Sequence, residues 1–374
     1  MLNIISNANV LMNSFLEARK NCSYKNSVQN YEINLLRNIR KAQKELRSHT
    51  YRQNDFYDFF LNERGKERYV RAINIYDRVI QRALCDQLIK IIDPLLIYDN
   101  GASTKGKGLT FSRNRIETHL HKYYRKYGNQ GYILLIDFRK FFDNVNHHNL
   151  MKMYENVLDD EEVVELIAHL VGSFSIDISN YDVDLNAPFD MLEYAKTKPL
   201  KTKKKYLHRS LGIGSQISQV SALYFPHLID NYIKIVRGIP FYGRYMDDSY
   251  IISNDKDELK EILKEIAVLC NKIGIFVNEK KTHIFKLDRG FTFLKIRYRF
   301  TETGHLVRRP DRGNFIRERR KLKSFKRMLD DGEMTLDDIY GQYRAWRGNL
   351  AKYDCHRSLI NMDRLYKELF GEKT

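Results

Sequence analysis

Two adjacent acids, Asp247 and Asp248, stand in the segment FYGRYMDDSYII (241–252). Short β-branched and aromatic arms flank a tight turn there, the pattern of a β-hairpin. An Asp-Asp pair alone is common and serves equally as a turn or a helix cap. A third acid, Asp137, ends the continuous apolar run YILLI (132–136), which reads as a strand buried on both faces. Three carboxylates delivered at strand ends repel one another unless a cation neutralises them. Oxygen ligands suit a hard divalent metal ion. Two such ions about 4 Å apart activate a hydroxyl nucleophile and stabilise a departing pyrophosphate in an in-line displacement, which is polymerase chemistry.

The rest of the chain carries the charge to match. Its 374 residues hold 64 Lys and Arg against 47 Asp and Glu, a net charge of +17, so a polyanionic partner is expected. The length allows two or three subdomains, and 43% apolar residues suffice for their cores. Only 6 Pro and 19 Gly exclude a collagen-like or low-complexity chain, while 25 Tyr and 20 Phe offer rings for core packing or base stacking. Cys22, Cys85, Cys270 and Cys355 lie far apart without a CxxC pair, so neither a zinc site nor a disulfide framework is expected. A reducing compartment and a cytoplasmic location follow as expectations. No stretch is apolar for long enough to span a bilayer, the first residues lack a basic leader region, and no lipidation signal is visible. Nucleic acid is therefore expected as the partner rather than a membrane.

Periodicity places the elements around these acids. An amphipathic helix is expected over 31–47, and RYVRAINI (68–75) reads as a strand. Asp77 then caps an apolar-faced helix that Pro94 stops. The loop core TKGKG (104–108) offers backbone N–H groups and two lysines to phosphate but matches no known phosphate-loop pattern. A helix is expected over 159–171, and 175–195 reads as loop. The basic run KTKPLKTKKKYLHR (196–209) is too charged for a core and feeds into LGIGSQISQ (211–219). A helix from Ser218 to about Val236 must kink or divide at Pro226. The helix after Asp255 ends at Gly274, and FTFLKIRYRF (291–300) reads as a strand. Ten Lys and Arg fall within 308–327, where Phe315, Leu322, Phe325 and Leu329 keep a helical apolar stripe, and a further helix surrounds Met362 to Phe370.

The order of these motifs resembles the reverse transcriptases, of the bacterial retroelement type. The series LNERGKERYVRAI with DRVIQRAL, LLIDFRKFFDNVNH, LGIGSQISQ, YMDD, NEKKTHIF and FTFLKIRY runs through about residues 60–300. Each motif is weak alone; six in family order are specific. The resemblance implies an α+β right-hand polymerase with fingers, palm and thumb. It implies a helical extension over 1–55, fingers over 56–131 with part of 150–210, a palm over 132–300 and a basic helical thumb over 301–374.

Site roles follow position by position. Asp137 and Asp247 resemble the metal ligands, with Asp248 beside them and the Phe138 carbonyl as a further oxygen, for two Mg2+ ions or Mn2+ in their place. Phe142 takes the steric-gate position, where a ring excludes a ribose 2′-hydroxyl. Arg68 and Lys66 match fingers residues that grip the triphosphate. Lys281 fits the place of a lysine that protonates pyrophosphate, with Lys280 as the alternative. Gly214 lets backbone approach the nucleotide, and Gln219 stands beside the templating pair. Lys203, Lys204 and Lys205, with Arg319, Arg320 and Lys323, are the expected contacts to nucleic acid. RNA template, DNA or RNA primer and dNTPs are the implied partners.

Most relatives carry Gln-Gly-x-x-x-Ser-Pro where this chain has Ile213-Gly214-Ser215-Gln216-Ile217-Ser218-Gln219. That form is similar to the enzymes of diversity-generating retroelements, which copy a template repeat with errors at adenines beside a small basic helical accessory protein. The tail YRAWRGNLAKYDC also looks like their thumb. A retron or phage-defence enzyme is the alternative within the class, and a non-catalytic RNA-binding scaffold the alternative outside it. The residues after the palm leave room for a thumb and hardly for a maturation module or an RNase H domain.

Overall fold

The computed structural model describes residues 1–63, 65–179, 181–197 and 205–371. Four helices come first: α1 (Leu2–Ile5), α2 (Ala8–Ala18), α3 (Asn26–Ile33) and α4 (Leu35–Arg47). The single helix expected over 31–47 is thus two. Asn34, at φ −105° and ψ 28°, leaves the helical region and caps both α3 and α4. Strands β1 (Tyr57–Glu63) and β2 (Lys66–Ala72) form an antiparallel hairpin with Glu63 opposite Lys66. Helix α5 (Ile75–Ile92) follows, capped by Asn74 rather than Asp77. The Asn74 side chain accepts the Asp77 N–H, while the buried Asp77 carboxylate accepts from Tyr51 Oη at 2.8 Å and from Asn54. The helix ends as expected just before Pro94, which sits in a short 3-10 turn.

Next come α6 (Leu109–Tyr127), β3 (Tyr132–Ile136), α7 (Phe141–Asn144), α8 (His147–Glu155) and α9 (Glu161–Gly172). The stretch 175–195, expected as loop, contributes β4 (Ile176–Asp177) and α10 (Met191–Lys196), and β4 pairs with β5 (Tyr206–Leu207). Strands two residues long leave no periodic signature, and their partner lies about 30 residues away. Ile176, Ile178, Phe189, Met191, Tyr194 and Leu207 form a small core of their own. Pro226 divides the next helix into α11 (Gln216–Tyr224) and α12 (His227–Asn231), the latter running into a π turn.

Strands β6 (Tyr242–Tyr245) and β7 (Asp248–Ser253), helix α13 (Lys256–Ile273) and β8 (His283–Lys286) follow, and one antiparallel sheet has the order β6-β7-β3-β8. The strand expected over 291–300 is a hairpin, β9 (Phe291–Phe293) and β10 (Ile296–Phe300), turning on Leu294 (φ 45°) and Lys295 (φ 64°). Neither residue favours the left-handed region, so the turn is silent in the sequence. Strand β11 (Leu306–Pro310) joins β10, and α14 (Arg312–Asp330), α15 (Leu336–Leu350) and α16 (His356–Phe370) complete the chain.

Two compact units divide these elements. The first comprises Met1–Arg115, Ile136–Tyr250 and Lys260–Thr282. Its central helix α5 buries Val79, Ile80, Ala83, Leu84 and Leu88 beneath α2 and α11. Each of the valine, isoleucine and leucine side chains contributes about 1.5–3 kcal/mol by leaving water. The second comprises Ile116–Leu135, Ile251–Leu259 and the chain from His283 onward. In it Leu322, Phe325, Ile339, Tyr343, Met362 and Tyr366 pack α14, α15 and α16 together, with Tyr343 stacked on Tyr366 at 4.6 Å. All four cysteines are free and buried. Among the described residues no helix is long and apolar enough to cross a membrane.

Candidate active site

Strand β3 delivers Asp137, and the segment after α13 fastens it. The Asp137 carbonyl accepts the Asn278 N–H at 2.8 Å, and its own N–H donates to Thr282 Oγ1 at 3.3 Å. Its carboxylate accepts from Asn278 Nδ2 at 2.6 Å and lies 3.3 Å from Lys281 Nζ. A second main-chain bond, from the Arg139 N–H to the Phe276 carbonyl at 2.8 Å, fixes the other side of Phe138. Neither main-chain bond uses the Phe138 carbonyl.

The second acid stands on a turn held from beneath. Met246, in the left-handed region at φ 55°, reverses the chain between β6 and β7 and presents Asp247, with Asp248 opening β7. Two residues back, the Arg244 side chain is buried, at 2% exposure, with its charge met by Asp230: Nε lies 2.9 and 3.0 Å and Nη2 2.7 Å from the carboxylate oxygens. Arg244 Nη1 donates to the Met246 carbonyl at 2.9 Å, and Tyr242 Oη donates to Asp230 at 2.5 Å. A buried ion pair with its remaining donors bonded therefore carries the turn that presents Asp247.

Electrostatics reports the crowding. Burial raises the Asp247 carboxyl above the usual carboxylate range, the Asp137 charge adds to this, and Lys281 and Lys66 oppose it. Asp248 is pushed up to about 7, first by burial and then by the charges of Asp247 and Asp137. Acids that raise one another's affinity for protons will also welcome a cation. Carboxylates with a main-chain carbonyl make a donor set for a hard divalent ion, so the residues fit the expected metal. Among the described residues no three acidic, His or Cys side chains converge as a preformed cluster, and Asp137 is turned toward Asn278 and Lys281.

Beside the acids lies a cavity of about 180 Å³ lined by Arg68, Phe142, Ile213 and Asp247, among others. Arg68 is exposed and pairs with Glu63 at 3.5 Å, while Phe142 stands edge-on to Phe141. Lys66 is exposed, and its charge reaches both Asp247 and Asp248. The motif from Ile213 to Gln219 is held against β2: the Arg71 N–H donates to the Ile213 carbonyl at 2.8 Å. A Cβ on Gly214, at φ 124°, would stand 3.0 Å from the Arg71 carbonyl oxygen, so the close approach here is to the β2 backbone. Ser215 caps α11, and Ser218 Oγ donates to the Leu211 carbonyl. Gln219 is exposed on α11.

The basic residues do not share one place. Lys205 is exposed beside β5, where its carbonyl accepts the Ile178 N–H at 2.8 Å. Arg319, Arg320 and Lys323 stand exposed on α14 in the second unit. Lys203 and Lys204 lie outside the described residues. Sequence reasoning missed Asn278 and Thr282, which stand in NEKKT beside Lys281, and missed Arg244. A lone cation in an apolar strand must find a buried partner, and that was the available signal.

An antiparallel sheet that brings paired acids to its strand ends is the arrangement of a polymerase palm. This chain belongs to the family described as reverse transcriptase (RNA-dependent DNA polymerase), whose family model matches residues 60–298. No curated protein matches it in sequence. Among solved structures it is similar to the telomerase of Candida albicans in complex with a TWJ fragment of telomeric RNA, at 12% identity and TM-score 0.45, over 86% of this chain and 60% of that one. The corresponding Candida tropicalis complex gives 12% identity and TM-score 0.48 over 86% and 59%. The apo telomerase of that organism gives 14% and 0.47 over 86% and 59%. The chain thus spans about 60% of the length of the telomerases it matches.

Proposed function

We propose that the chain is an RNA-directed DNA polymerase extending a DNA or RNA primer with dNTPs on an RNA template. The observation that carries this reading is the meeting of Arg68, Phe142, Ile213 and Asp247 around one cavity, with Asp137 and Asp248 close enough to Asp247 to act on its charge. Asp137, Asp247, Asp248 and the Phe138 carbonyl are the residues that would hold two Mg2+ ions, or Mn2+. Bound there, the cations would activate the primer 3′-hydroxyl and neutralise the leaving pyrophosphate. Arg68 and Lys66 grip the triphosphate, the guanidinium by its bidentate fork. The Phe142 ring fills the space a ribose 2′-hydroxyl needs. Lys281 keeps Asp137 company at 3.3 Å and is the proton donor within reach when pyrophosphate departs. Residues 132–300 act as the palm, 56–131 with part of 150–210 as fingers, 301–374 as the thumb and 1–55 as a helical extension.

Within this class we read the chain as the adenine-mutagenic enzyme of a diversity-generating retroelement, working in the cytoplasm with a small basic accessory protein. Ile213 supports this reading: an apolar side chain lines the nucleotide cavity where most relatives place glutamine. A lost polar contact worth about 1–2 kcal/mol relaxes discrimination roughly tenfold. The test is primer extension on an adenine-rich RNA template with Mg2+ and dNTPs, followed by sequencing of the cDNA. Errors clustered opposite adenine support the retroelement reading. Faithful cDNA assigns the chain to the retron or defence enzymes, and absence of cDNA with the accessory protein and cognate RNA present assigns it to the scaffold alternative.

A further inference from the structure

Strand β10 alternates sharply. Ile296, Tyr298 and Phe300 are buried on one face, and Arg297 and Arg299 are exposed on the other. The register with β11 sets Arg309 directly opposite Arg297, and Val307 opposite Arg299. Side chains directly opposite on an antiparallel pair have Cβ atoms about 5 Å apart, and like charges so placed destabilise the sheet. Arg308, on the buried face, shows how this chain treats an arginine it needs for structure: it bonds Glu117 at 3.0 Å and the Lys352 carbonyl at 3.1 Å. The three outer arginines have no such carboxylate among the described residues. Arg297 donates only to the Arg289 carbonyl, at 3.3 Å, and Glu302 lines the same groove without an ion pair to any of them. That groove holds about 730 Å³ and is completed by Thr301, Thr303 and Val307.

We propose that the outer face of β10 and β11 is a binding site for the phosphate backbone of single-stranded RNA. The proposal rests on the polymerase reading for its choice of RNA, and on the sheet for the rest. Positions two apart on a strand lie about 6.7 Å apart, so Arg297 and Arg299 present guanidiniums in line, and Arg309 widens the row across the pair. All three cations are arginine, whose planar fork matches a phosphate diester bidentately. The neighbouring threonine hydroxyls add neutral donors of the kind that position a sugar-phosphate chain. A membrane surface is a poor occupant, because Val307 alone among the groove's lining residues is apolar and nothing there would enter the acyl boundary. The face belongs to the second unit and shares no residue with the acids of the first.

The test measures binding of a labelled 30-nucleotide uridine RNA to the full chain from 50 to 300 mM NaCl. R297Q/R299Q/R309Q is compared with K256Q/K264Q/K272Q, which removes the same charge from exposed positions of α13. Each phosphate contact on a single strand contributes about 0.7 to the slope of log affinity against log salt. The arginine variant is expected to lower that slope by about two and to weaken binding at least tenfold at 100 mM, and the lysine control to change it by less than one. An equal change in both variants, or none in the first, overturns the site. So does a variant that binds RNA normally but loses phosphatidylserine vesicles. Extension of oligo(dT) on poly(rA) by the same proteins separates the two readings. Wild-type chain that binds RNA through this face but makes no cDNA, with the accessory protein and cognate RNA also supplied, removes the polymerase reading and leaves the site standing.

Discussion

Phe142 and Arg244 bear on the proposed reaction through different physics. Phe142 lines the cavity proposed to take the nucleotide, so Phe142→Ala is expected to admit ribonucleotides. Loss of about 1–3 kcal/mol of discrimination is a ten- to hundredfold rise in relative rNTP incorporation, measured in competition with dNTPs. An unchanged preference would leave the ring with a packing role against Phe141. Arg244 touches no substrate. It holds the Met246 carbonyl and thereby the turn that presents Asp247. Lysine cannot supply the fork that bonds Asp230, Leu223 and Met246 together. Arg244→Lys is therefore expected to lower kcat at least tenfold while RNA affinity and KM for dNTP hold. Arg244→Ala leaves Asp230 buried and unpaired, at a cost of about 3–5 kcal/mol, visible as a lowered Tm. A fall in Tm without any fall in the kcat of the lysine variant would make the ion pair a matter of stability alone.

At the scale of elements, His147 at the start of α8 gives the fold a pH dependence. Its ring is buried, with Nε2 2.6 Å from the Ser210 carbonyl, and burial pushes its pKa down to about 4 from 6.5. The unfolded chain therefore takes up a proton as pH falls through 6.5, and the folded chain follows only near 4. Stability drains away across that window and is unaffected above it, by about 3 kcal/mol at pH 4. Asp143 runs the other way: burial pushes its carboxyl up to about 7, so the folded chain holds a proton that the unfolded chain lacks from 7 down to 3.8. The two offset in the wild type. Urea unfolding of His147→Asn and wild type at pH 4 to 8 separates them, with the difference growing in favour of the variant below 6.5. A difference constant with pH would mean that His147 titrates normally in the fold.

Where a segment carries its own pattern, the sequence read it well. The YILLI strand, the hairpin around Met246, the helix closed by Gly274 and the division at Pro226 all stand as expected. What escaped depends on distant partners or on residues outside their preferred conformations. Asn34 breaks one helix into two, Leu294 and Lys295 turn a strand on left-handed backbone, and β4 exists only because β5 pairs with it. The acids of the site were legible because their apolar flanks are. Asn278, Thr282 and Arg244 were not, since only the folded chain shows which atoms they bond.

At the scale of the whole molecule, a charge of +17 is expected to make RNA binding steeply salt-dependent, because each neutralised phosphate releases counterions. A flat response between 50 and 200 mM salt would contradict an electrostatic grip by Arg319, Arg320, Lys323 and the outer face of β10. The central proposal is that Asp137, Asp247 and Asp248 carry out nucleotidyl transfer. The most direct test is single-nucleotide primer extension on an RNA template with Mg2+, comparing wild type with Asp247→Ala while RNA binding is measured on both. The wild type is expected to extend the primer and the variant to lose at least a thousandfold, with RNA affinity within a few-fold of wild type. Equal extension by both proteins would contradict a catalytic role for Asp247.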